Sequence, residues 1–221
     1  MAEMLSPANT SGRPGKKLLT WGIVAVVLLA LIVPGCSNYN NMNKMSKDVD
    51  AAWAQVQVQY QRRSDLIPNL VNSVKGYTAH ESGTLEAVTN ARAGLLSAEN
   101  EAEQASVQQA PRDQEQLQNY LAAQDKVKGA MSLYINAVHE AYPELKANTL
   151  FQELNVQLEG TENRIATERG RYSEIVNKYN VKVSSFPGVI YAKLFGFSER
   201  PQFQASEAAQ SAPVVDFSVA Q

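Results

Sequence analysis

Leu18–Val33 is a run of sixteen residues without a charge, and it sets the first constraint on the chain. Backbone amides in an apolar medium must be satisfied internally, so such a run folds as a helix. Arg13, Lys16 and Lys17 precede it, and no basic residue comes after it until Lys44. Basic residues on the amino-terminal flank hold that flank in the cytoplasm and send the remainder of the chain across the membrane. Residues 1–17, polar and carrying Pro7 and Pro14, read as a disordered cytoplasmic stub.

The run ends in Val33-Pro34-Gly35-Cys36, and two anchors fit it. One is an uncleaved transmembrane helix over residues 18–36, at the short end of what crosses a hydrocarbon core of roughly 30 Å. The domain then sits on the periplasmic side of a bacterial inner membrane, attached by a single pass. The other is a lipoprotein signal, because a small residue before cysteine resembles a lipobox, although Pro34 departs from that pattern. Cys36 is the candidate lipidation residue. In both cases membrane lipid is the first partner.

The rest of the composition narrows the chemistry. With Cys36 the only cysteine, neither an intrachain disulfide nor a multi-cysteine zinc site can form. His80-Glu81 and His139-Glu140 lack the second histidine four residues on, where Thr84 and Pro143 stand, so no zincin helix is present. Gly12-Arg13-Pro14-Gly15-Lys16-Lys17 lacks P-loop spacing, and no Gly-x-Ser-x-Gly elbow occurs. The sequence therefore predicts no catalytic, metal or cofactor site. A net charge of −2, with Lys and Arg interspersed among acids, excludes nucleic acid as a partner.

Beyond the anchor, apolar residues recur at steps of three and four, which is the period of a helix burying one stripe. The first series is Met42, Met45, Val49, Ala52 and Val56, continued through Leu66, Leu70, Val74 and Tyr77. The second is Leu85, Val88, Arg92, Leu95, Ala98 and Ala102. The third is Leu117, Leu121, Gln124, Val127, Met131, Tyr134 and Val138. The fourth is Phe151, Leu154, Leu158, Thr161, Ile165, Tyr172, Ile175 and Tyr179. No segment alternates with period two, so no sheet is expected.

Two sites compete to end the first helix. Lys75-Gly76-Tyr77-Thr78 offers a terminal cation, a glycine and a Thr78/Glu81 capping pair. Ser64-Asp65-Leu66-Ile67-Pro68 offers a cap and a proline without an N–H. The turn is expected at 76–78 and a kink at 64–68. Residues 99–115 carry five acids against one arginine, with Pro111 inside, and read as a solvated loop. Thr149 with Gln152 resembles a capping box for the fourth helix, which should end near Ser184. The apolar stretch 189–197 should lie against the bundle or the membrane surface, and residues 198–221 read as a disordered tail. The expected fold is all-α, with an N-terminal membrane helix followed by an up-and-down four-helix bundle of long antiparallel helices over 38–197.

Particular motifs sharpen this. Asp50-Ala51-Ala52-Trp53-Ala54-Gln55 leads into Arg62-Arg63-Ser64-Asp65-Leu66-Ile67-Pro68-Asn69-Leu70. Further along stand Val74-Lys75-Gly76-Tyr77, His80-Glu81, Thr161-Glu162-Asn163-Arg164-Ile165 and Phe186-Pro187. Over roughly 38–197 the chain closely resembles the LemA family. The resemblance implies a helical bundle behind an N-terminal hydrophobic helix, and a molecular function that is poorly defined. It also implies, through gene neighbourhood in some bacteria, an envelope partner such as a TPM-domain protein or a membrane zinc protease. The family's short amino terminus is often placed outside the cell, whereas Arg13, Lys16 and Lys17 point inward here, and the charges decide the expected orientation.

Candidate functional residues fall in two of these motifs. Arg62, Arg63 and Asp65 either form a docking patch for an anionic partner or brace a kink near Pro68 with ion pairs. Glu162 and Arg164 are expected to make helix-surface pairs, and Asn163, if buried, to fix helix register. Trp53 is read as core. The expected function is a non-enzymatic interaction or scaffold module at the envelope membrane. The alternatives are a self-assembling structural envelope protein and an enzyme with an unrecognised site.

Overall fold

The computed structural model describes residues 15–78 and 86–204. Arg13, His80, Glu81 and Leu85, and with them the Thr78/Glu81 capping pair, lie outside the described residues, as do 205–221. Five helices form: α1 (Gly15–Thr78), α2 (Glu86–Gln104), α3 (Gln114–Ala141), α4 (Thr149–Ser184) and α5 (Gly188–Phe195), with a 3-10 turn at Pro143–Ala147. Among the described residues there is no strand, and the all-α class holds. Among those residues no helix is long and apolar enough to cross a membrane.

α1 is a single helix of 64 residues, about 96 Å long, that carries both the uncharged run and the first stripe. The kink expected at 64–68 does not interrupt the helix, which runs on through Pro68. Pro68 removes one backbone hydrogen bond, at a cost of about 3 kcal/mol. Ile67, Leu70, Val71 and Val74 are all buried around it. Each buried side chain contributes about 1.5–3 kcal/mol, so packing outweighs the proline. Residues 76–78, where the turn is expected, are still helical, and α1 is described as far as Thr78.

Helix directions alternate. Ser64 on α1 meets Glu99 on α2, Arg63 meets Gln124 on α3, and Arg63 also meets Glu162 on α4. Further along α1, Trp53 packs on Tyr120 of α3 and on Tyr172 of α4. These contacts run α3 parallel to α1, and α2 and α4 antiparallel to it.

The connections differ from expectation in ways that local chemistry explains. α2 continues through 99–104, because Ala98 and Ala102 bury one face, while Glu101 faces solvent and Glu99 turns toward Ser64 of α1. The loop after it is not simply solvated: Ala110 and Pro111 are buried, and the Val107 carbonyl accepts from the Trp53 indole and from Gln57. Asp113 caps α3 by accepting from the Gln116 amide at 2.8 Å. Asn148, not Thr149, caps α4, with its Oδ1 3.1 Å from the Phe151 amide. Gln152 reaches back to the Lys146 carbonyl instead.

Ordered packing also continues past Phe197. Asn180 clamps the Arg200 backbone with two 2.8 Å hydrogen bonds. Tyr172 donates to the Pro201 carbonyl at 3.2 Å. Phe203 lies against Trp53 and Tyr172, with the Arg169 guanidinium over its other face. Residues 199–203 therefore form a strap along the bundle.

Candidate functional site

The core is built in two apolar clusters. One holds Ile67, Leu70, Leu95, Tyr134, Phe151 and Leu154; the other holds Met42, Val49, Trp53, Leu117, Ile165 and Tyr172. Between them lie the three buried polar residues of the described chain, Arg63, Gln124 and Thr161, one each on α1, α3 and α4. All three occupy positions where their helices otherwise place apolar side chains.

Arg63 organises this layer. Its Nη1 donates to Glu162 Oε1 at 3.0 Å. Its Nη2 donates to both the backbone oxygen and the side-chain oxygen of Gln124. The guanidinium sits over the Tyr60 ring, 5.1 Å from its centroid. Lys128 approaches Glu162 from the solvent side at 3.9 Å. Thr161 returns its hydroxyl to the Gln157 carbonyl within α4. Breaking a buried ion pair costs more than forming it gains, because the abandoned charge stays desolvated. The layer therefore penalises misalignment of the three helices.

A cleft of about 390 Å³ opens from this layer between α1, α2 and α3. Gln57, Gln61, Ser64, Glu99, Glu103 and Tyr120 line it, with Arg63 at its floor. Ser64 donates to Glu99 across the wall at 2.6 Å. Burial raises the Tyr60 hydroxyl above its ordinary value, against the pull of Arg169 and Arg63. Burial raises Tyr120 further. Both phenols stay protonated at neutral pH and act as neutral walls. Among the described residues no group of three His, Cys, Asp or Glu side chains is placed to hold a metal ion.

The structure separates the residues singled out in the sequence. Arg63 is sealed inside, whereas Arg62 and Asp65 face solvent, and Asp65 accepts from Gln61 at 2.8 Å. The motif therefore does not present three charges on one surface. Glu162 is not a simple helix-surface pair but the counter-ion of a buried cation. Asn163 and Arg164 are exposed, so the register role expected of Asn163 falls to its neighbours Thr161 and Glu162. Cys36 is exposed on α1. His139 sits edge-on to Phe151 at 5.5 Å, as a packing residue.

Gln124 and Thr161 belong to this layer although the sequence reading places them only in apolar stripes. Their signal is the interruption itself: Arg63, Gln124 and Thr161 each break a stripe near its middle. Arg200 leaves no comparable trace, since its pairing with Asn180 depends on how the chain folds back after α5.

Comparison with known proteins finds relatives along most of the chain. Magnetosome proteins MamQ 1 and MamQ 2 of Paramagnetospirillum magneticum are each 25% identical over 220 residues, covering 95% of this chain and 79% of each relative. Protein LemA of Metamycoplasma hominis is 23% identical over 168 residues, covering 76% of this chain and 69% of that protein. The LemA family model matches residues 52–217, from the middle of α1 through the buried layer and past the strap. On that match, the chain belongs to the LemA family.

Proposed function

We propose that the protein is a membrane-anchored envelope component whose helical bundle acts as a non-enzymatic interaction or scaffold module. The observation that carries this reading is the continuity of α1. One helix joins the uncharged run Leu18–Val33 to the side chains that build the core from Met42 to Val74. A module joined in this way has no flexible linker between anchor and bundle, and it holds its outer surfaces at a set height. The buried layer supports the same reading. Arg63, its most deeply buried charge, is already engaged by Glu162 and Gln124, and so serves helix packing.

The anchor is proposed to be a single pass through the inner membrane, with Arg13, Lys16 and Lys17 inside and the bundle in the periplasm. Acylation at Cys36 is the alternative. The partner is proposed to be another envelope protein, of the TPM-domain or membrane-protease kind. Arg62 and Asp65, both solvent-facing, remain the proposed contact residues of the Arg62-Arg63-Ser64-Asp65 motif.

A reporter active only in the periplasm, fused after Gln221, should be active, and a cytoplasmic reporter there should be silent. The opposite pattern would overturn the orientation. Cross-linked pull-down from solubilised membranes should recover a membrane protein with the wild type and lose it with Arg62→Ala. Recovery unchanged by that substitution would remove Arg62 from the contact surface.

A further inference from the structure

α5 and the chain beside it bury one side and leave the other bare. Ala192 is buried, Tyr191 lies over Gly35 of α1, and Phe195 and Phe197 pack on Tyr39 with ring centroids 5.1 and 5.7 Å away. Gly188 sits so close to the Lys182 carbonyl that any Cβ would collide with it, which presses α5 onto the bundle. On the outer side Phe186, Ile190 and Leu194 are 82, 57 and 73% exposed. Three large apolar side chains within nine residues need a cover that the described chain does not supply.

The position along α1 indicates what that cover is. Gly35, under Tyr191, lies two residues beyond the end of the uncharged run at Val33, a rise of about 3 Å. Tyr39, under Phe195, is eighteen residues from Trp21, a rise of about 27 Å and close to one hydrocarbon thickness. Trp21 and Tyr39 are both exposed and stand where aromatic anchors stand at the two faces of a bilayer. Charge points the same way. Lys44, Lys182 and Lys193 lie in the segments beside this face, whereas Lys47 pairs with Asp50 at 3.9 Å and Lys178 lies near Asp48. An apolar face bordered by lysines is the pattern of a helix lying in an anionic headgroup layer.

We propose that α5 is a lipid-facing collar: Phe186, Ile190 and Leu194 enter the headgroup–acyl boundary of an anionic phospholipid bilayer, with Lys44, Lys182 and Lys193 at the phosphates. This rests on the membrane-anchor reading but not on its orientation. The collar seats the bundle on the surface and sets the tilt of α1.

The test uses the full chain with Cys36→Ser, which also keeps residues 1–35 attached under the lipoprotein route, in phosphatidylglycerol vesicles. Single cysteines at Leu194, Val26 or Leu133 carry a spin label, and collision with oxygen and with a water-soluble nickel complex is measured. The expected oxygen-to-nickel ratio is several-fold higher at 194 than at 133, and highest at 26. A lipid-like label at 26 with a water-like label at 194 overturns the collar and leaves the anchor intact. Water-like labels at both positions overturn the anchor itself, and the collar with it. Strong spin–spin broadening at 194, lost on dilution with unlabelled chain, would mean that a second copy covers the face, and would also overturn the collar. Replacing phosphatidylglycerol with phosphatidylcholine should lower the ratio at 194 and not at 26; an unchanged ratio at 194 would remove the lysines from the proposal.

Discussion

Removing either partner of the Arg63–Glu162 pair should destabilise the bundle, but unequally, and the inequality arises from solvent access. The Arg63 side chain is 3% exposed, whereas that of Glu162 is 21% exposed with Lys128 3.9 Å away. At an effective dielectric of about 20, opposite charges in a 3.0 Å contact attract by about 5 kcal/mol. Desolvation offsets most of that while both partners are present. In Glu162→Leu the guanidinium stays buried with only the Gln124 oxygens for compensation, so about 3–5 kcal/mol should be lost. In Arg63→Met the remaining carboxylate can turn toward water and Lys128. The loss is then about 1.5–3 kcal/mol, the worth of charge-assisted hydrogen bonds. The double variant fills the layer with apolar volume and should lie within about 1 kcal/mol of wild type.

Urea unfolding of a fragment spanning residues 38–204, tracked by circular dichroism, yields all three values and their coupling. Costs that simply add in the double variant, or a larger loss for Arg63→Met than for Glu162→Leu, would refute the description of the layer as a sealed cation with a rim-exposed counter-ion.

Two further measurements test other parts of the fold. Burial holds the Tyr134 and Tyr172 hydroxyls up to about 12, against an unfolded value of 10.0. A folded value above the unfolded one means stability that is complete below about pH 10 and is lost toward pH 12, by about 1.4 kcal/mol per pH unit for each tyrosine. The urea midpoint should therefore fall steeply above about pH 10, and a flat midpoint there would show that these phenols ionise in the folded state. Separately, ending that fragment at residue 197 instead of 204 removes the Asn180–Arg200 clamp and the Phe203 packing on Trp53 and Tyr172. Loss of an aromatic contact of that kind should cost about 3 kcal/mol and lower Tm, and equal stability of the two pieces would refute the strap.

Helical period carries most of the fold into view because each stripe buries one continuous face. Val88, Leu95, Ala98 and Ala102 on α2, and Phe151, Leu154, Leu158 and Ile165 on α4, are all core. The features that escape it are set by contacts distant along the chain. Pro68 reads as a kink, and only the burial of Ile67 and Leu70 on either side of it shows what carries the helix through. Glu99, Glu101 and Glu103 suggest a loop because charge dominates the local composition, although they belong to a helix that buries Ala98 and Ala102, and Glu99 is held by Ser64 of α1. Phe203 is one aromatic in a polar stretch, and nothing local distinguishes it from an exposed one. The site divides in the same way. Arg63 stands out for its charge and motif, yet which of Arg62, Arg63 and Asp65 points inward depends on α1 remaining helical through Pro68.

The layer also answers how such long helices keep one alignment. On α1 the positions Met42, Val49, Val56, Arg63 and Leu70 recur every seven residues, as do Leu117, Gln124, Met131 and Val138 on α3. Were every one of these apolar, α1 could slide by seven residues, about 10.5 Å, and still present a matching stripe. With Arg63 in the series, a slide in one direction places Val56 against Glu162 and the Gln124 oxygens, and in the other it places Leu70 there. Either way Arg63 enters an apolar cluster without a partner, at a cost of several kcal/mol. One charged residue thereby fixes the height of α3 and α4 along α1. Because α1 continues without interruption into Leu18–Val33, that alignment also fixes the height of the bundle relative to the uncharged run.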